Sequence, residues 1–357
     1  MPARHIMDLT DLSVPECLDI LRLAADIREH PGDYTDRCRG KILATLFYEP
    51  STRTQMSFQT AMLRLGGQII GFDNPQNSSV AKGETLKDTI RVISGYADVI
   101  AMRHPLAGSA AAAAQYSRVP VINAGDGGHL HPTQTLADLA TLQQEKGTLS
   151  GLVVGICGDL KNGRTVHSLI RSLIRFPNNS FVLISTPHLR IPAYIRETLA
   201  AAGCPFTEVD SLAEAMPELD VLYMTRIQRE RFVSQTDYER QAGIYVLDGP
   251  KMALAKPDLA VLHPLPRVDE IAQEVDGDDR AKYFKQTEYG LYARMALIMK
   301  LAELPRDNPP LALTGDERLC ANEHCITRSE TYLPRRFRPI GEELLECVYC
   351  DERFFPR

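Results

Sequence analysis

The sequence predicts an α/β protein built from two doubly wound parallel-sheet domains, followed by a small C-terminal β domain closed through cysteines. Three observations predict it. Short apolar runs of strand length alternate with stretches of helical periodicity, the pattern of parallel sheets covered on both faces. The series restarts near residue 152, so 357 residues divide into two such domains and a remainder. Four of the eight cysteines, Cys320, Cys325, Cys347 and Cys350, crowd into the last 38 residues.

In chain order, residues 13–29 read as a helix, with Ser13 as N-cap, Pro15 in the first turn and Leu18, Leu21 and Ala25 as apolar positions. "KILATLFY" (41–48) is a strand. "TRTQMSFQTAMLRLGG" (52–67) is a helix with Met56, Ala61, Met62 and Leu65 near helical spacing, ended by Gly66-Gly67. "QIIGF", "ADVIAM" and "VPVINA" read as buried strands, with helices at 84–95, 106–117 and 132–144. The second series runs from strand 152–158 through helix 164–176, strand 181–186 and helix 192–203. The shorter strands "DVLYMT", "IYVLDG" and "AVLHPL" follow. Domain limits of 1–147 and 148–280 result, with a long helix at 281–303 expected to pack back on the first domain. Residues 304–317, rich in proline and polar side chains, read as a linker to a domain at 318–357.

The composition is 44% hydrophobic and 24% charged, which is globular. A net charge of −6 argues against nucleic acid as a general partner but permits a small anionic ligand held by local arginines. No apolar run suits a signal peptide or a membrane span, so a cytosolic location without structural disulfides is expected.

The polar clusters of both domains fall at predicted strand ends, where open α/β sheets bind ligands. Ser51, Thr52, Arg53 and Thr54 stand where a strand hands over to a helix. Unpaired N–H groups, the helix dipole, hydroxyls and a guanidinium together form a cradle for phosphate or carboxylate. An ordinary N-cap is the plainer reading of that stretch alone. "MRHP" adds Arg103, and "HPTQT" adds His131 and Gln134. In the second domain, Arg164, Arg226 and Gln228 follow strands, and "VLHPLPRVDE" sets proline-bounded backbone at another. Four arginines so placed suit several anionic groups at once. No nucleophile triad, Walker motif, HExxH or dinucleotide fingerprint is present, so catalysis by positioning and electrostatics is expected.

"FYEPSTRTQMSF", "KGETLKDT", "MRHP", "HPTQT", "GRTVHSL", "YMTRIQRER" and "HPLPRVDEI", in this order over residues 5–303, resemble the catalytic chains of the aspartate carbamoyltransferase family. The resemblance implies transfer of a carbamoyl group from carbamoyl phosphate to the α-amine of aspartate, in pyrimidine biosynthesis. It implies that residues 51–54 hold the phosphate, and that Thr54, Arg103 and His131 face the carbamoyl oxygen, with Gln134 on the carbamoyl amine. Arg164, Arg226 and Gln228 would take the aspartate carboxylates, and Pro264 and Leu265 would shape the backbone beside them. Ser78 and Lys82 would enter a neighbouring subunit's site, which implies a homotrimer. Ser78 is preferred to Ser79 by its four-residue spacing to Lys82. Carbamoylation of ornithine is the nearest rival activity, and a silent assembly subunit is a rival of another class.

In the tail, Cys-x4-Cys and Cys-x2-Cys pairs separated by 21 residues match a tetrahedral structural zinc site. About forty residues bury little core, so the metal would supply folding energy to a small zinc-binding β domain. Residues 314–357 hold seven Arg against nine Asp plus Glu, a net of 7 − 9 = −2, which favours a protein contact over nucleic acid. "LCANEHCIT" and "LECVYCDERF" resemble the zinc domain of the regulatory chain of the same family. The linker has no room for an allosteric domain, so the tail is expected either to dock in cis or to bridge trimers.

Overall fold

The computed structural model describes residues 5–229, 232, 234–304, 315–341 and 343–355. Most of the expected linker, residues 305–314, lies outside the described residues. The chain divides into two compact units, Met1–Thr133 with Leu291–Arg357, and Gln134–Gly290. The division runs through two helices, Pro132–Lys146 and Tyr283–Ala302.

The first unit opens with helix α1 (Val14–Glu29). Ser13 accepts from the Glu16 N–H while the Glu16 carboxylate accepts from the Ser13 N–H, a reciprocal cap that fixes the helix start. Next come β1 (Ile42–Phe47), α2 (Thr52–Arg64), β2 (Gln68–Phe72), α3 (Leu86–Ile93), β3 (Val99–His104), α4 (Ser109–Ala114), β4 (Val121–Asp126) and the start of α5 (Pro132–Lys146), whose remainder belongs to the second unit. The strands form a parallel sheet in the order β2-β1-β3-β4. Leu43 of β1 lies between Ile69 and Val99, so β1 is interior and wholly apolar apart from Thr45. The chain passes from β1 to β2 on one side, then returns to place β3 on the other. The carboxyl ends of β1 and β3 therefore flank the point where the winding reverses, which is where such sheets bind ligands. In α2, Phe58, Ala61 and Met62 are buried, whereas Met56, expected among the apolar positions, is 62% exposed.

The second unit carries β5 (Val153–Cys157), α6 (Arg164–Leu173), β6 (Ser180–Ile184), α7 (Ala193–Ala201), β7 (Phe206–Val209), α8 (Leu212–Ala215), β8 (Val221–Met224), α9 (Gln235–Glu239), α10 (Gly249–Met252), β9 (Ala260–Leu262) and the start of α11 (Tyr283–Ala302). Its parallel sheet runs β7-β6-β5-β8-β9, with the reversal between β5 and β8. "IYVLDG" is not a strand. Leu247 alone bridges to Ile271, and the Asp248 side chain caps α10 by accepting from the Lys251 N–H, with Pro250 in the first turn. A helix start takes the backbone that a strand would need. The strand β7 has no counterpart in the sequence reading.

The C-terminal domain contains α12 (Ile326–Ser329) and an antiparallel sheet of β10 (Phe337–Ile340), β11 (Leu344–Cys347) and β12 (Arg353–Phe354). It belongs to the first unit. Cys320, Cys325, Ile326, Leu333, Cys347 and Tyr349 share one buried cluster with Ala107, Ala110, Ala113, Leu86 and Ile90 of the same chain. Backbone bonds cross the contact: the Ala107 N–H donates to His324 O at 2.9 Å, and the Ile326 N–H to Ala107 O at 2.9 Å. Gly108, at φ +82°, permits the approach, because a Cβ there would stand 2.6 Å from the carbonyl oxygen of Tyr349. At the other side the Lys87 N–H donates to the Tyr332 hydroxyl at 2.8 Å, and the Leu86 N–H to Glu330 Oε1 at 3.1 Å.

Candidate functional site

In the first unit, three strand ends supply the polar groups. Ser51 occupies the N-cap of α2, yet its side chain makes no capping bond. The first-turn N–H groups of the helix have no acceptor within it, and the dipole adds positive charge there. Thr52 and Arg53 are exposed, with Ser51 and Thr54 half-buried. Partial enclosure of its guanidinium still holds Arg53 below its ordinary pKa.

Arg103, on β3, is largely enclosed, its side chain 11% exposed. Its Nη2 lies 3.4 Å from Glu49 Oε2, and its Nη1 donates to Ala124 O at 3.5 Å. Burial lowers its pKa, the Glu49 carboxylate opposes that, and the nearby Arg53 charge adds to it. His131 is buried directly before α5. Gly125, at φ +120°, lies beneath both side chains, and a Cβ there would stand 2.8 Å from Arg103 Nη1 and 3.5 Å from His131 Cδ2. A glycine is what lets an arginine of β3 and a histidine of the connection before α5 converge on the end of β4.

Residues not singled out from sequence hold this arrangement. Buried Arg294 of α11 donates to Ser57 Oγ at 3.1 Å and to Thr133 O at 3.2 Å, and its guanidinium covers the Phe58 ring at 5.4 Å. It ties α2 to the segment after His131. Asp126, buried at the end of β4, binds His129, Leu130, Gly108 and Asn123. Burial would push the His129 imidazole down, but the Asp126 carboxylate, then Asp351, hold it up at about 10. The only sequence signal for these was the histidine two places before His131.

Ser78 and Lys82 lie in the loop after β2. The Ser78 hydroxyl donates to Pro75 O at 2.8 Å and accepts from the Val80 N–H at 3.3 Å, so it is engaged in its own turn. Ser79 and Lys82 are exposed.

In the second unit, Gln134 donates from Nε2 to Asp138 Oδ1 at 2.8 Å. Buried Asp138 also accepts from the Tyr223 hydroxyl at 3.1 Å and from Gln286 Nε2 at 2.5 Å. Arg164 begins α6, and Arg226 and Gln228 follow β8, the strand paired with β5. Gln228 Nε2 donates to Asn162 O at 3.2 Å, and the Asp159 N–H donates to Thr225 Oγ1 at 3.1 Å. These bonds join the two loops at the reversal of the sheet, and both arginines are half-buried there. Pro264 and Leu265 follow β9, and Leu265 holds φ 52°. The Leu265 N–H donates to His263 Nδ1 at 2.7 Å. His263 Nε2 lies 2.6 Å from Glu270 Oε1, and Glu270 Oε2 accepts from the Val268 and Asp269 N–H groups at 3.0 and 3.1 Å. A closed buried network thus holds the positive φ that a leucine resists.

The four cysteines Cys320, Cys325, Cys347 and Cys350 are buried, with all four sulfurs within 4.8 Å of one another. The Cys320–Cys350 and Cys325–Cys347 sulfurs lie 3.5 and 3.9 Å apart, far beyond the roughly 2.05 Å of a disulfide. Four ligands at about 2.3 Å from a tetrahedral zinc place sulfurs about 3.8 Å apart, so the quartet fits a closed structural zinc site. Arg328 Nη1 donates to Cys320 O at 2.8 Å, and Thr327 Oγ1 lies 3.2 Å from Cys325 Sγ, which orients the ligands.

Among the described residues, no helix is long and apolar enough to cross a membrane. Residues 4–144 match the family model for the aspartate/ornithine carbamoyltransferase carbamoyl-P binding domain, and residues 150–301 that for the Asp/Orn binding domain. Residues 319–355 match the metal binding domain of the aspartate carbamoyltransferase regulatory chain. An aspartate carbamoyltransferase catalytic subunit of Clostridium perfringens (strain SM101) is 60% identical over 299 residues, 84% of this chain and 97% of that one. One from Clostridium botulinum (strain Okra) is 58% identical over 302 residues, 84% of this chain and 98% of that one. Among solved structures, the catalytic subunit of M. jannaschii aspartate transcarbamoylase matches with a TM-score of 0.79 at 48% identity, covering 84% of this chain and 98% of that one. Aspartate transcarbamoylase from Trypanosoma cruzi, in complex with carbamoyl phosphate and aspartate, matches with a TM-score of 0.79 at 37% identity, covering 84% of this chain and 97% of that one.

Proposed function

The chain belongs to the aspartate/ornithine carbamoyltransferase family, and from that membership we propose that it is an aspartate carbamoyltransferase with a structural zinc domain on the same chain. The reaction joins carbamoyl phosphate and L-aspartate into N-carbamoyl-L-aspartate and phosphate, a step of pyrimidine biosynthesis. The amine nitrogen bonds to the carbamoyl carbon, the carbon–oxygen bond to phosphate breaks, and phosphate leaves with the electron pair and takes up the proton the amine gives up.

The observation that carries the reading is the convergence of Arg103 and His131 over Gly125, beside a helix start whose N-cap hydroxyl is not spent on capping. Ser51, Thr52, Arg53 and Thr54 hold the phosphate. Thr54, Arg103 and His131 face the carbamoyl oxygen, where negative charge grows during attack, and Gln134 takes the carbamoyl amine. Arg164, Arg226 and Gln228 bind the aspartate carboxylates, and Pro264 with Leu265, the latter at positive φ, shapes the backbone at the same end of the second sheet. Lys82 and Ser78 serve a neighbouring subunit in a homotrimer, a role supported by the exposure of Lys82. Two carboxylates and a phosphate account for the concentration of cations in a protein of net charge −6. The protein works in the cytosol, where the thiols of its zinc quartet stay reduced.

The test is an amine panel with carbamoyl phosphate. Carbamoyl-aspartate is the expected product. Citrulline from ornithine, with no turnover of aspartate, would overturn the substrate assignment. Sedimentation of the intact protein tests the homotrimer.

A further inference from the structure

We propose that Asp351 of the zinc domain is a positioning residue for carbamoyl transfer: through His129 and Asp126 it fixes the turn that carries His131. The proposal rests on the assignment of His131 to the reaction.

Asp351 directly follows the ligand Cys350, at φ 57°, and its N–H donates to Cys347 O at 3.0 Å. The turn that presents two of the zinc ligands therefore also aims this carboxylate. Its Oδ2 lies 3.1 Å from His129 Nε2. On the other edge of the ring, His129 Nδ1 lies 2.9 Å from Asp126 Oδ2. An imidazolium between two carboxylates donates from both nitrogens.

Asp126 carries the chain of contacts to the reacting group. Its Oδ2 also accepts from the Gly108 N–H at 2.7 Å, and its Oδ1 accepts from the Leu130 N–H at 3.0 Å and from Asn123 Nδ2 at 3.1 Å. The backbone closes the same turn, with the Asp126 N–H donating to Leu130 O at 3.2 Å and the His129 N–H to Asp126 O at 3.1 Å. Leu130 is the residue before His131. Asp126 is 2% exposed and the His129 side chain 12%, so neither finds a substitute partner in water. Removing the Asp351 charge leaves a buried cation facing one carboxylate in place of two, and the turn beneath His131 is what yields. A displacement of about 1 Å at a reacting group costs on the order of a hundredfold in rate.

The experiment uses the full chain loaded with zinc, in the variants Asp351→Asn, His129→Asn and the double. Expected are losses of about tenfold in kcat for each single variant, little change in KM for aspartate, and a double variant no worse than the poorer single. Zinc per chain stays at the wild-type value. Tyr332→Phe, which removes a docking bond on the other side of the contact, keeps wild-type kcat. Wild-type kcat in Asp351→Asn, additive losses, zinc loss in the variant, or an equal loss in Tyr332→Phe would each overturn the relay. Wild-type enzyme that fails to carbamoylate aspartate would instead remove the functional assignment beneath it, and that control is read first.

Discussion

Arg53 and Arg103 lie close enough for one charge to act on the other; the Glu49 carboxylate outweighs that repulsion at Arg103, but burial still leaves a net cost on the Arg103 charge. An anion that met both guanidiniums would relieve that cost. Arg53→Ala is expected to lower kcat/KM by about a hundredfold or more while leaving the thermal midpoint nearly unchanged, since the side chain is exposed. Turnover measured beside a melting curve decides it, and an equal fall in both would make Arg53 structural. Two histidines of the same unit set its pH range. Burial pushes His104 down to about 4. Its contribution is therefore full above the ordinary value of 6.5 and is lost as pH falls toward 4, at about 1.4 kcal/mol per pH unit. His129 is held up at about 10, so its contribution is full below 6.5 and is lost as pH rises toward 10. The midpoint of the first unit is expected to peak near pH 6.5, and His129→Asn to flatten the alkaline limb only. The start of α2 at Thr52 and the placement of Arg103, Arg164 and Arg226 at or just after strand ends were legible from the alternation of apolar runs and polar clusters. Asp126, Asp138 and Arg294 were not, because a buried polar residue looks ordinary until its partners are known.

At the level of elements, the docking of the zinc domain depends on one glycine. Gly108→Ala adds a side chain at φ +82° and sets its Cβ against the Tyr349 backbone, which no rotamer change can relieve. A loss of about 2 kcal/mol or more is expected, read as a lower thermal midpoint and faster proteolysis within 344–354. Unchanged proteolysis would mean that the contact tolerates a larger spacing. Periodicity placed the buried strands well, since Leu43, Val154 and Val221 lie in runs that water cannot reach. It failed at "IYVLDG", where the Asp-Gly-Pro of a helix start was hidden behind a β-rich run, and at Phe206–Val209, a strand at the sheet edge with only part-buried or exposed side chains. The contact between Ala107 and the segment at Cys325 is made by backbone groups, which every residue carries, so no pattern could announce it.

For the molecule as a whole, the cysteine quartet and the first unit share one buried cluster, so metal and fold are coupled there. Stripping zinc with a chelator, or the substitution Cys350→Ser, is expected to raise deuterium uptake over 107–113 and 126–131 and to lower the thermal midpoint. Uptake over Val153–Cys157 in the second unit stays at its starting level. Equal uptake in all three segments before and after chelation would show that the cluster holds without metal.

The metal domain and the surface it covers are parts of one polypeptide, joined through residues 305–314. Their meeting is then intramolecular, at an effective concentration set by covalent attachment and not by the protein concentration in solution. Dilution, which separates two-chain complexes, leaves this pairing in place, and every catalytic unit is made with its own brace in a ratio of one to one.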